Sequence, residues 1–281
     1  MGTLLTVAVV LAGIGASHAD VHFVEEIVNR GFGPQRIGAR RTTNEVYIKG
    51  ARQKVKSTIS TSEQTARQLR DQGRSLQTTT ILRLDDKNVY EVDLESQTYV
   101  QRPVPPASKP AAKKAAEPAS TDPRIRFTVT ETGDTTRIAG VLSRRVIARM
   151  QARYMDPETG AVRRENRYTY DAWLAADFPG YKEIKAFQQL QEESTSFPPL
   201  ISGGIQQLQE VVQDSDELEA HLQALEGFPM RSTIRVTVMR PGQEAETEVF
   251  RLDRQITKFQ HHPLDDTVFQ VSEGLSQIKT R

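Results

Sequence analysis

Two long runs of alternating apolar and polar residues meet at a single turn, and they constrain this chain more than any other feature. From Val141 to Arg153, the residues Leu142, Val146, Ala148 and Met150 fall on one side of an extended backbone. From Val162 to Leu174, Tyr168, Tyr170, Ala172 and Leu174 do the same, and Trp173, the only tryptophan, falls on the other side. Asp156-Pro157-Glu158-Thr159-Gly160 between them has the residue types that reverse a chain. A side-chain period of two belongs to a strand, so the pair reads as a hairpin with one buried face. Upstream, Ile125, Phe127 and Val129 alternate with Arg126, Thr128 and Thr130, and Thr132-Gly133-Asp134 reads as a turn into a further strand.

Weaker strand signals flank this centre. Val21 to Val28 carries Val21, Phe23 and Ile27 on one parity. Glu45 to Ser60 is interrupted at Gly50, as a bulge or bend would do, and Arg52, Lys54 and Lys56 then share a solvated face. Thr61-Ser62-Glu63-Gln64 resembles a capping box and predicts a short helix to about Arg70. Thr78–Leu84 and Val89–Leu94 form a hairpin around Asp85-Asp86-Lys87-Asn88. Near the end, Thr233–Met239 and Glu244–Leu252 flank Arg240-Pro241-Gly242-Gln243, and Ile256–Gln260 and Leu264–Val271 read as two more strands.

One block is helical. Tyr181, Ile184, Phe187 and Leu190 recur at helical spacing, and Asp214-Ser215-Asp216-Glu217 opens a second stripe of Leu218, Leu222 and Leu225. The helical cover runs over about 178–226 and stops at Gly227 and Pro229. Strands on both sides of it predict a single α+β domain over 20–281. Residues 103–124, rich in Pro, Ala and Lys, read as a mobile, extended loop inserted between two strands of one sheet.

The first nineteen residues, Met1 to Ala19, read as a signal peptide, with an apolar run from Leu4 to Ile14 and small residues Ser17 and Ala19 before the cut. No Lys or Arg precedes that run. The chain has no cysteine, which leaves no disulfide framework and no lipid-bearing cysteine. Formal net charge is +1, but the charge is unevenly placed: residues 30–74 are basic, and residues 181–226 are acidic. That asymmetry fits mutual attraction of two faces, or a basic surface for an anionic partner. The basic stretch lacks interleaved aromatics, which disfavours nucleic acid.

The chain resembles the bacterial envelope proteins built on the outer-membrane lipoprotein carrier fold (LolA-like), and more narrowly an exported domain family related to it. The residues that carry the resemblance are Tyr47-Ile48-Lys49-Gly50, Val89-Tyr90-Glu91-Val92-Asp93 with Thr98-Tyr99, Ile138-Ala139-Gly140-Val141, Trp173-Leu174, Gly227-Phe228-Pro229-Met230-Arg231, and Pro263-Leu264-Asp265-Asp266-Thr267-Val268-Phe269. Leu142 and Ser143 stand where that family often has a cysteine. The resemblance implies a strongly curved antiparallel β-sheet, a half-barrel, with helices covering the concave face. In the carrier that concavity holds lipid chains. The narrower family brings no site residue to these positions.

No catalytic constellation is legible. His261-His262 with Asp265 and Asp266 invites a metal reading, but neighbouring strand residues point to opposite faces and a metal needs converging ligands. Asp85-Asp86 fits turn chemistry, and lone His22 and His221 fit structural roles. The sequence therefore predicts a non-enzymatic, cofactor-free protein of the periplasm, peripheral to the membrane at most. Its ligand is a lipid or other amphiphile in a cleft formed by Trp173, Tyr181, Ile184, Phe187, Leu190, Leu218 and Leu222. The alternative is a structural or protein-interaction module that meets an envelope protein. Expressed with its native start, the protein should appear in the periplasm with Asp20 as its first residue. Mass spectrometry finding Met1 to Ala19 still attached to cytoplasmic protein would refute export.

Overall fold

In the computed structural model, which describes residues 20–33, 35–107, 125–156, 158–197, 225–240, 242 and 246–279, every long alternating run is a strand. The signal segment, most of the proline-rich loop, and the stripe carrying Leu218 and Leu222 lie outside the described residues.

The first half is a meander of β1 (Asp20–Phe32), β2 (Arg40–Lys49), β3 (Arg52–Thr61), β4 (Gln77–Arg83), β5 (Asn88–Asp93) and β6 (Thr98–Pro103). The second is β7 (Ile125–Ile138), β8 (Val141–Met155), β9 (Val162–Ala175), β10 (Phe228–Met239) and β11 (Thr247–His262). A two-residue strand, β12 (Ser276–Gln277), comes last. All join one sheet in the order β12-β6-β5-β4-β3-β2-β1-β11-β10-β9-β8-β7. Each neighbouring pair is antiparallel except β12 with β6, and the sheet is not closed. The two meanders meet where β1 pairs with β11, from Asp20 opposite His262 to Phe32 opposite Phe250.

One face of this sheet is apolar along its breadth. Val146, Ala148, Met150, Tyr168, Tyr170, Ala172, Leu174, Ile234, Val236, Phe250 and Leu252 form one cluster with Ile27. Val21, Phe23, Val46, Ile48, Val55 and Ile256 belong to another, which includes Ile184 and Phe187 of helix α2 (Tyr181–Ser194). That helix packs on β1 and β2. It starts at Gly180, whose φ of +94° suits glycine and whose added Cβ would lie 2.9 Å from Val21 Cγ2. The short helix α1 (Glu63–Asp71) is capped by Ser62, not Thr61, and Arg70 ties it to Glu95.

Four sequence readings change. Gly50 is neither bulge nor bend: Lys49 pairs with Arg52, so Gly50-Ala51 is a two-residue hairpin turn, with Gly50 at φ +54°. Thr132-Gly133-Asp134 does not end a strand, because β7 runs through it with a register shift between Glu131 and Thr135. The turn falls instead at Ala139-Gly140, both at positive φ. Ile256–Gln260 is not a separate strand but the end of β11, and Asp266–Phe269 is a 3₁₀ turn. At the start of the proline-rich segment, Val104 packs into the α2 cluster and Pro105 O accepts from Thr195 Oγ1 at 2.6 Å.

Lys54 is a fifth change, and it exposes a device the alternation hides. The C-terminal segment crosses the opposite face over β2 to β5, where Leu264 and Phe269 pack on Ile81 with Tyr47 and Tyr90. Lys54 is therefore buried, and its ammonium donates to Val268 O at 2.8 Å. Lys49 Nζ donates to Leu264 O at 2.6 Å and meets Asp266 at 2.8 Å, while Asp20 Oδ2 accepts from Leu264 N at 2.8 Å. The hydrogen bond from Lys49, its charge and the nearby Arg52 hold the Asp266 carboxyl below the usual carboxylate range. A depressed carboxylate stabilises the fold above its unfolded value and loses that effect as pH falls through its folded value. Protection of residues 264–271, as the observed exchange rate relative to the intrinsic one at each pH, should therefore fall below about pH 4, and Asp266→Asn should lower it at neutral pH. Equal protection at both pH values would show that Asp266 does not hold the strap.

Candidate functional site

The apolar face under α2 is where the predicted cleft residues gather. Ile184 and Phe187 are buried there, Tyr181 is partly buried against the same cluster, and Leu190 on the next turn is half-buried. A helix presents residues three and four apart on one side, which brings these four positions toward the sheet. Phe178 stands before the helix and meets three rings: Phe259 at 5.1 Å, Tyr181 at 5.5 Å and Phe228 at 6.2 Å between centroids. Phe23 meets Phe228 at 5.7 Å. The N-terminal end of α2 is thus set in an aromatic nest, which the sequence scatters over four segments.

Trp173 is placed differently. It alternates with buried Ala172 and Leu174, so it stands on the other parity, as its sequence position requires. Arg145, its register partner on β8, lays its guanidinium 5.8 Å from the indole and binds Asp171 at 2.6 Å. The hydrogen bond and charge of Asp171 raise the Arg145 pKa. The indole touches the margin of the α2 cluster while one side meets this ion pair, a cation–π arrangement.

The two adjacent histidines diverge. His261 reaches Glu183 on α2 at 3.4 Å, whereas the His262 ring stands edge-on to His22 at 6.3 Å. They serve opposite faces of β11 and do not converge with Asp265 and Asp266. His22 stacks on Tyr47 at 4.5 Å and bonds to Gln260 and Glu45. Burial pushes the Glu45 carboxyl up, but bonds from Tyr47, Lys56 and His22 outweigh it and leave it below its ordinary range. Asp85 is bound by Arg52 and Arg83, and Asp86 caps its own turn at Asn88 N. Neither carboxyl is a free acid or base.

The basic stretch is largely answered by nearby acids. Arg30 pairs with Asp253, Arg52 with Asp85, Lys56 with Glu45, Arg67 with Glu63 and Arg70 with Glu95. These partners come from the same helix or from neighbouring strands and turns, and none belongs to the acidic stretch.

Sequence reasoning missed the most buried charged pair among the described residues. Arg254 is 2 % exposed and Glu25 is 2 % exposed, on the apolar face where β1 and β11 pair. Arg254 Nε donates to Glu25 Oε2 at 2.6 Å, and Nη1 donates to Pro229 O. Asn44 Nδ2 donates to Glu25 Oε1 at 2.8 Å, and Ser57 Oγ to Asn44 Oδ1 at 2.7 Å. The parity of Glu25 with Phe23 and Ile27 was the available signal, since a charge on a buried parity requires a partner.

No family model and no curated protein matches the chain. Among the described residues no helix is long and apolar enough to cross a membrane, and no group of His, Asp and Glu could hold a metal.

If the α2 contact carries the packing described, Phe187→Ala should cost about 3–5 kcal/mol of stability in denaturant unfolding. Leu142→Ala, at an exposed position, should stay within about 0.5 kcal/mol. Equal costs would refute this assignment of the core.

Proposed function

We propose that this protein is an exported envelope protein, without catalytic machinery, that binds or carries a lipid or other amphiphile between the apolar face of its sheet and its helices. In this reading the sheet is a curved half-barrel, and the helices lie over its concave side. One observation carries it. Helix α2 rests on β1 and β2 by side chains such as Ile184 and Phe187, its backbone tie being to Pro105 and Pro106 just beyond β6, while the apolar face runs on through β8 to β11. A helix that adds no strand to the sheet can separate from it without breaking a ladder, and an open sheet allows an apolar cleft to form. The opposite face, with Arg145, Asp171, Glu165 and Asp253 in ion pairs, offers no such surface.

The interaction-module reading has an observation of its own. Gly180 approaches Val21 closely and Phe187 is 1 % exposed, so α2 fills its own seat. One experiment separates the two. Trp173 meets the α2 cluster only at its margin and from the opposite parity, so a reporter belongs at Phe187: Phe187→Trp on a Trp173→Phe background puts the only indole under α2. Its emission should shift when a fatty acid or acyl ester is added below its micelle concentration, and protein purified from the periplasm should carry an amphiphile in native mass spectrometry. Unchanged emission with a clean apo mass would remove the carrier reading and leave the interaction module.

A further inference from the structure

The apolar face is interrupted along one line. On β1 the inward residues run Phe23, Glu25, Ile27; on β11 they run Ile256, Arg254, Leu252; on β10 they run Met230, Ser232, Ile234. In each strand a polar residue stands between a member of the α2 cluster and a member of the β8–β11 cluster. The Arg254 guanidinium lies 5.4 Å from the Phe228 ring centroid, and Ser232 is its register partner on β10. Nε and Nη1 of Arg254 have acceptors, but Nη2 is buried with none. A guanidinium N–H out of water without an acceptor is a standing cost in a folded protein.

We infer that Arg254 Nη2 is the polar anchor of a ligand site, and that it takes a neutral carbonyl oxygen, an ester or amide, set between two hydrocarbon arms. This rests on the amphiphile reading above and specifies the ligand for it. The two arms follow from the two apolar clusters on either side of the polar line. Neutrality follows from charge: Glu25 already balances Arg254, so a carboxylate there would bring a third, uncompensated charge into an apolar face. A carbonyl brings the missing acceptor and no charge.

The test uses octyl octanoate, heptadecane as its hydrocarbon counterpart of equal length, and hexadecanoate, each displacing an apolar fluorescent dye from the full mature protein. The ester should displace the dye about tenfold better than the hydrocarbon, the discrimination of one buried hydrogen bond, and better than the acid at neutral pH. In Glu25→Met with Arg254→Met the two charges leave together, a change that buried ion pairs often tolerate, and the ester should lose its advantage. Should that variant fail to fold, the native protein still decides the matter: the carbonyl stretch of bound octyl octanoate should lie below that of the ester in hydrocarbon solvent. Equal displacement by ester and hydrocarbon, an unshifted carbonyl stretch, tighter binding of the acid, or discrimination that survives in the double variant would each overturn the anchor while leaving an amphiphile site. Displacement by none of the three would overturn the amphiphile reading itself, and the anchor with it.

Discussion

Glu25 and Arg254 stand 229 positions apart and form the buried ion pair that joins the two meanders of the sheet. Apart from the two-residue β12 on β6, each remaining strand pairs with its predecessor in the chain: β2 to β6 do so, and so do β8 to β11. Only the β1–β11 seam makes the two halves one sheet, and it is the longest-range pairing in the order. Taking two charges out of water is expensive, and removing one partner of such a pair costs about 3–5 kcal/mol, whereas replacing both is often neutral. The pair therefore contributes to register more than to net stability. A slip of β11 by one residue would turn Arg254 outward together with Leu252 and Ile256, and leave the Glu25 charge beside Phe23 and Ile27 with Asn44 as its one partner. Asn44 and Ser57 extend the same constraint to β2 and β3, so four strands are indexed by one polar line.

The opposite face is indexed by different means. Glu165 lies between Arg153 at 3.0 Å and Arg167 at 2.7 Å, and Asp253 accepts from Arg30, Arg251 and Thr233. Half-exposed pairs of this kind contribute little each, about 0–1 kcal/mol. Their value lies in cross-strand specificity, since like charges opposed across a ladder are unfavourable. The result is a sheet with one solvated, ion-paired face over its second meander and one dry face, which confines any apolar ligand to the α2 side.

How much of this was legible depends on whether the deciding contact was local. The alternation in β8 and β9 and the Asp156–Gly160 turn were readable, because period and turn chemistry lie within the one continuous segment Val141–Ala175. Gly133 and Gly140 could not be ranked as turns from sequence, since either suits positive φ and only the pairing of Ile138 with Val141 chooses. Lys54 reads as solvated from its parity, yet the strap that buries it arrives more than two hundred residues later. Of the predicted cleft, Tyr181, Ile184 and Phe187 share one helix and could be grouped by spacing, while Leu218 and Leu222 lie outside the described residues. Arg254 reads as one more solvated arginine in β11 until the strand opposite it is known.

The two ends of α2 are held by different means. At its start Gly180 is wedged against Val21 and Phe259, Phe178 sits among Phe228, Phe259 and Tyr181, and Glu183 meets His261. At its end Thr195 Oγ1 and Ser196 N both donate to Pro105 O, Gln191 donates to Phe197 O, and Val104 and Phe197 pack on the same apolar cluster. Displacing the first end would expose an aromatic nest to water, a cost set by apolar area. Displacing the second would also strip partners from Thr195 and Gln191, which are buried, and a buried polar group without a partner costs more than the bond itself is worth. Ring packing at one end and buried hydrogen bonds at the other therefore fix the helix on β1 and β2 by two physically different locks.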